Sequence, residues 1–205
     1  TSGATTYVGG DGIDTWTITD GAVTISDLGA TGDVDIVDLN DGTVAATTTG
    51  AWTASSSTDN AGAVGEFTIA VASAGAVSLA SAGVSGAGYT VTSTGTSAIT
   101  GSAGADALTN TSGATTYVGG AGIDTWVITD GAVTISDLGA GGLVDIVDLN
   151  DGTVTATATG AWTASSATDN AGAANTEFTI NVASLGAIDL SSAGTSTKGY
   201  AVTST

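Results

Sequence analysis

The residues best placed to do chemistry in this chain are aspartates that end glycine-rich turns and recur at a fixed spacing. Residues 101–127 divide into three consecutive nonapeptides: GSAGADALT from Gly101, NTSGATTYV from Asn110 and GGAGIDTWV from Gly119. The first and third carry Asp106 and Asp124, 18 residues apart (124 − 106), while the middle one has Thr115 at the matching place. A Gly-rich stretch can turn tightly with positive φ, and the β-prone residues after it then make a short strand whose central large side chain points inward. Two such nonapeptides close one coil of 18 residues. Asp106 is then expected to face Asp124 across a coil spacing of roughly 4.8 Å. At that separation two carboxylates repel by about 3 kcal/mol at an effective dielectric of about 20, so the pair is expected to take up a proton or hold a cation. Carboxylate and carbonyl oxygens are hard ligands that suit calcium better than zinc or copper. The alternative is a metal-free turn in which each Asp hydrogen-bonds its own backbone.

The composition removes most other chemistries. Lys198 is the only basic residue, and His and Cys are absent. Acid–base relays near neutral pH, thiol nucleophiles and guanidinium clamps on phosphate are therefore out of reach. The many Ser and Thr hydroxyls lack an activating base. Glu66 and Glu177 each precede an FTI run as single carboxylates, whereas a glycosidase needs two that converge. The chain is not expected to be an enzyme. A formal net charge of −19 opposes binding to nucleic acid and to anionic lipid, both of which are met first by Lys and Arg. No apolar run reaches membrane-spanning length, and nothing at the N-terminus reads as a signal peptide.

These turns belong to a repeat. TSGATTYVGGDGIDTW opens at Thr1 and TSGATTYVGGAGIDTW at Thr111, an offset of 110 residues (111 − 1) that holds through AWTASS and slips by one before GYTVTST and GYAVTST. Two units are expected, 1–94 and 111–205, joined by residues 95–110. Within each, short β-branched or aromatic runs such as TWTIT, AVTISDL, VDIVDL and EFTIAVAS alternate apolar with polar, which is the strand period. With 32 Gly and abundant Thr, an all-β chain is expected. The phased nonapeptides favour a parallel β-roll or β-solenoid. The Asp-Gly pairs of ITDGAVTI and VDLNDGTV are hairpin signals, and they keep open antiparallel β-sandwich units with a short β-roll at the joint. Trp16 and Trp126 take the inward position of their nonapeptides. Trp52 and Trp162, in GAWTAS, are read as core, with an exposed sugar-stacking indole as the alternative.

GGAGIDTWV from Gly119 and GGDGIDTWT from Gly9 both fit G-G-x-G-x-D-x-U-x, where U is a large apolar residue. GSAGADALT departs only by Ser102. On these residues the chain resembles the RTX family of calcium-binding nonapeptide repeats. The resemblance implies a parallel β-roll in which glycine-turn carbonyls and Asp side chains surround calcium. Carried over by position, it implies Gly101, Gly104, Asp106, Gly119, Gly120, Gly122 and Asp124, with Gly9, Gly10, Gly12 and Asp14 in the first copy. The following segments, from Ala22 and Ala132, resemble more loosely the part that closes such rolls, bringing in Asp27, Asp35, Asp38, Asp137, Asp145 and Asp148. The expected function is that of a structural, self-assembling protein of the bacterial cell surface or extracellular space, such as a surface layer, sheath or filament, with copies of itself as partners and calcium as cofactor. The alternatives are a stalk in a large RTX-type adhesin and a Thr-rich surface that meets cell-surface glycan or ordered water.

Overall fold

In the computed structural model, which describes residues 4–71, 75–183, 186–194 and 198–204, the chain winds as a parallel β-solenoid. Every strand pair among the described residues is parallel. The antiparallel sandwich alternative does not occur there.

Each coil has three sides. The first side is a nine-stranded sheet of β1 (Ala4–Tyr7), β3 (Ala22–Leu28), β5 (Thr43–Thr48), β8 (Phe67–Val71), β10 (Thr90–Ser93), β12 (Ala107–Asn110), β14 (Thr125–Ile128), β16 (Ile146–Leu149) and β19 (Asp169–Asn170). The second is an eight-stranded sheet of β6 (Trp52–Thr53), β9 (Ala76–Ser78), β11 (Ser97–Thr100), β13 (Ala114–Val118), β15 (Ala132–Leu138), β17 (Thr153–Ala158), β20 (Phe178–Val182) and β22 (Ala201–Ser204). The third side holds β2 (Thr15–Ile18), β4 (Ile36–Leu39) and β7 (Asp59–Asn60) near the start, and β18 (Trp162–Thr163) and β21 (Ile188–Asp189) near the end. Between those two groups it is built of stacked turns, where Gly120 and Gly122 lie over the carbonyls of Ser102 and Gly104, and Gly139 lies against Trp162.

Equivalent strands of the two copies do not share a side. β1, β3, β5, β8 and β10 lie on the first side, but their counterparts β13, β15, β17, β20 and β22 lie on the second. β6 and β9 move from the second side to the third as β18 and β21, and β2, β4 and β7 move from the third to the first as β14, β16 and β19. Every equivalent pair advances one side in the same sense. The repeat therefore spans five coils and one further side, counted along β1, β3, β5, β8, β10, β12 and then β13. At ~4.8 Å per coil, one copy rises about 26 Å and turns by about a third of a revolution, and orientation is restored after three copies, or about 77 Å.

The interior is a thin stack of side chains in register. On the first side Ile25, Ala46, Ile69, Val91, Leu108, Trp126 and Val147 follow one another, and on the second Val77, Ile99, Tyr117, Ile135, Ala156 and Ile180 do the same. Nearly all are buried from solvent. Two edge-on ring pairs, Phe67–Tyr89 and Phe178–Tyr200, each with centroids 5.0 Å apart, fill equivalent places in the two copies. Trp52 and Trp162 are 1% exposed, and their indole N–H groups donate to the carbonyls of Asp35 and Asp145. They are core residues, and the sugar-stacking alternative is gone. Outward on the second side, Thr116, Thr134, Thr155 and Thr179 align in one row.

The Asp-Gly pairs are corners of coils, not hairpins. Gly42 stacks on Gly21 and Gly152 on Gly131, with Thr43 N–H donating to Gly21 O and Thr153 N–H to Gly131 O, both at 2.8 Å. Gly152 has φ +88°, and a Cβ there would collide with the Gly131 carbonyl. Gly141 has φ +70° with open space around it. Gly152→Ala is expected to cost about 2 kcal/mol or more, and Gly141→Ala only the left-handed strain of about 1 kcal/mol, as read by urea unfolding.

Candidate functional site

Within each copy the glycine turns and their aspartates stack on one another, coil upon coil. Asp106 N–H donates to Asp124 Oδ1 at 2.9 Å, and Asp124 N–H donates to Asp145 Oδ1 at 3.0 Å. In the first copy Asp14 N–H donates to Asp35 Oδ1 at 3.0 Å. The facing of Asp106 and Asp124 expected from their spacing is therefore present. Its chemistry differs from two bare carboxylates in opposition: each carboxylate reaches across a coil and accepts the main-chain N–H of the aspartate before it. Such charge-assisted bonds hold neighbouring coils in register.

The second oxygen turns back into its own turn. Asp35 Oδ2 accepts from Gly29 N–H and Asp145 Oδ2 from Gly139 N–H, both at 2.8 Å. Two further aspartates clamp the opening glycines from the next coil: Asp27 accepts from Gly9 and Gly10 at 3.0 and 2.8 Å, and Asp137 accepts from Gly119 and Gly120 at 2.8 and 2.9 Å. Asp33 accepts from Gly12 at 2.9 Å. The opening glycine has a steric reason. A Cβ at Gly9, Gly101 or Gly119 would run into the carboxylate of Asp14, Asp106 or Asp124 folded beneath it.

The motif's one substitution has a visible consequence. Ser102 N–H and hydroxyl both donate to Asp106 Oδ2, at 2.6 and 3.1 Å, while Asp106 Oδ1 accepts from Tyr89 N–H at 2.6 Å and from the Ser102 hydroxyl at 3.0 Å. Asp106 is saturated. Asp124 and Asp14, in the two turns that match the motif in full, each keep an Oδ2 with no donor among the described residues, and that of Asp14 is buried. In the middle nonapeptide Thr115 replaces the carboxylate and satisfies its hydroxyl on Ser93 Oγ and Gly95 O, both at 3.1 Å.

Asp106, Asp124 and Asp145 are 2%, 1% and 3% exposed. Burial pushes the Asp124 carboxyl up to about 8, the Asp106 N–H pulls against it, and the neighbouring carboxylates of Asp106, Asp145 and Asp137 push it further. Burial also raises Asp106 and Asp145, opposed by their main-chain donors. The Asp124 carboxyl thus retains a proton well above the ordinary carboxylate range.

Gly104 and Gly122 stack within the same column, and Gly9, Gly10, Gly12 and Asp14 form the corresponding turn of the first copy. Of the looser set, Asp27, Asp35, Asp137 and Asp145 join the turns, whereas Asp38 and Asp148 lie in β4 and β16. Glu66 and Glu177 cap local turns through Ala63 and Ala174 N–H. Among the described residues, no three acidic side chains are grouped so as to hold a metal by themselves, and no helix is long and apolar enough to cross a membrane. Comparison with protein-family models, characterised proteins and solved structures gives no match.

Proposed function

We propose that this chain is a structural, extracellular repeat protein whose solenoid extends copy on copy and assembles into a filament, sheath or layer at a bacterial surface. One observation carries the reading: the coils continue through the joint, with β10, β11 and β12 pairing onward into β13 and β14 without a break. An array of such copies is a rod. Because each copy is advanced by one side, the same outward surface is offered in three directions around that rod, which suits lateral contacts between rods. The lack of Cys leaves the main-chain ladder and the aspartate stack to hold the coils together.

Calcium is the cation we propose for the stack. Its support is that, among the described residues, Oδ2 of Asp124 and of Asp14 receives no donor, in a chain with a single Lys, and that glycine-turn carbonyls stack beside the Asp124 turn. Gly119, Gly120, Gly122 and Asp124 would hold it in the second copy, and Gly9, Gly10, Gly12 and Asp14 in the first. Bound there, the ion would supply positive charge where carboxylates crowd.

The experiment is electron microscopy of the chain with calcium and with chelator, alongside its melting temperature. Filaments or sheets, and a rise in melting temperature with calcium that Asp124→Asn diminishes and Asp169→Asn leaves in place, are expected. Single rods under all conditions would favour the adhesin stalk, which the same seamless coil serves equally well. The threonine row on the second side is the surface that a glycan would meet.

A further inference from the structure

The two copies are chemically alike at their starts but differently covered. In the second copy Tyr117 and Trp126 are 0% exposed. Tyr117 lies under Ile99 of β11 and Trp126 under Leu108 of β12, so both are roofed by the joint, residues 95–110. Their first-copy counterparts lack that roof. Tyr7 is 37% exposed, and Trp16 is only partly buried against the core. Tyr7, Thr15, Trp16, Ile18 and Val23 line a cleft of ≈ 350 Å³ there.

The polar groups tell the same story. In the second copy Asp106 supplies an N–H to Asp124 and a carbonyl to Thr125 N–H at 2.9 Å, and Asn110 supplies a carbonyl to Thr129 N–H at 2.9 Å. Among the described residues, the matching Asp14, Thr15 and Thr19 receive nothing from a preceding coil. The open edge thus lacks a particular set of partners, all of which one segment of this chain provides.

We propose that this face is a docking site for one joint coil with the sequence Gly95–Asn110, belonging to a further copy of the repeat. Its β11 segment pairs with β1, and its β12 segment pairs with β2. The counterpart of Leu108 covers Trp16, the counterpart of Ile99 covers Tyr7, and the counterpart of Asp106 meets Asp14. The occupant is a joint, not the β22 end of another copy applied directly. β10, the equivalent of β22, is separated from β14 by the whole coil β11–β12, and without it the inward rows are one coil short. This deepens the rod reading by naming what lengthens the rod at this end, and it does not depend on calcium.

The test places the sequence Gly95–Asn110 ahead of Thr1, as it stands ahead of Thr111, and measures acrylamide quenching of indole emission. Trp52, Trp126 and Trp162 are all 1% exposed or less, so quenching reports Trp16. With the extension, quenching is expected to fall by about half or more as the indole leaves water, and the Thr15 and Thr19 amides should become protected from exchange. An extension carrying Asp at the Leu108 position should give neither effect. Trp16 remaining as quenchable as in the unextended chain, or becoming equally protected by both extensions, overturns the proposal. Trp16 protected in a chain that forms no filaments would sink the assembly reading and leave the docking intact.

Discussion

Measured in chelator, the unfolding free energy of this chain is expected to fall as the pH rises from about 4 to about 8, the reverse of ordinary acid denaturation. The cause is the buried Asp124 carboxyl, whose value in the fold is raised from 3.8 to about 8. Below the unfolded value both states carry the proton, and the stabilisation is fully present. Between the two values the unfolded chain releases the proton while the fold retains it, so the unfolded state binds fewer protons and stability drops with each step in pH. Above about 8 both states are ionised, and the folded state bears an unprotonated carboxylate among Asp106, Asp137 and Asp145. Each tenfold gain in proton affinity on folding is worth about 1.4 kcal/mol, so the loss across the window is on the order of 5 kcal/mol. The raised carboxyls of Asp106 and Asp145 act in the same sense. Exposed Asp33, held low by the Thr31 hydroxyl and the Gly12 N–H, acts in the opposite sense, and only as the pH falls through its own lowered value. Asp124→Asn keeps an oxygen for the Asp106 N–H and removes the titration, so its stability curve should be markedly flatter. Equal slopes for the variant and the parent would place the titration elsewhere.

If calcium binds at Asp124 as proposed, it competes with the proton for one oxygen. A cation at Asp124 must displace the proton that burial favours, so the gain in melting temperature with calcium should be larger at pH 8 than at pH 5. The same gain at both values would locate any bound calcium at carboxylates that are already ionised at pH 5, away from the stack.

Much of the architecture can be read in the sequence because a nine-residue phase constrains both the turn and the strand. The 18-residue spacing of Asp106 and Asp124 puts them one coil apart, and Ala107 is indeed paired with Thr125. The Asp-Gly corners are ambiguous in the sequence for a physical reason: positive φ at glycine is what both a two-residue hairpin and a coil corner demand, and only the register of Thr43 on Gly21 separates them. Turn length takes Asp35 and Asp145 out of the strict nonapeptide phase, so only the looser resemblance of the segments from Ala22 and Ala132 brings them in. Their coils are 21 residues long, and their clamped glycine lies six residues before the aspartate, where a strict nonapeptide places it five before. The one-side advance between copies is not legible at all. It follows from the repeat holding five coils and one further side, a count that no local run of residues marks.

That advance, together with the joint, makes the two nonapeptide tryptophans a matched experiment within one chain. Trp16 and Trp126 occupy the same motif position, yet Trp126 is sealed between Leu108 and Val147, whereas Trp16 is backed by Val37 and open towards the cleft. Trp126→Ala is expected to cost about 3–5 kcal/mol, since it empties a large cavity in a core one coil thick that has little means to collapse. Trp16→Ala should cost about 1 kcal/mol or less, because much of that side chain's surface is never withdrawn from water. Among the described residues, the Trp126 indole N–H is buried without a partner. Trp126→Phe removes that orphan donor while keeping most of the volume, so it should cost well under half of the alanine change. A solenoid transmits strain chiefly to neighbouring coils, so the alanine variant should also expose amides of β12 and β16 to exchange before those of β5. Equal costs for Trp16→Ala and Trp126→Ala would mean that the joint does not seal the second copy. The docking of a joint coil on the first copy would then lose its template.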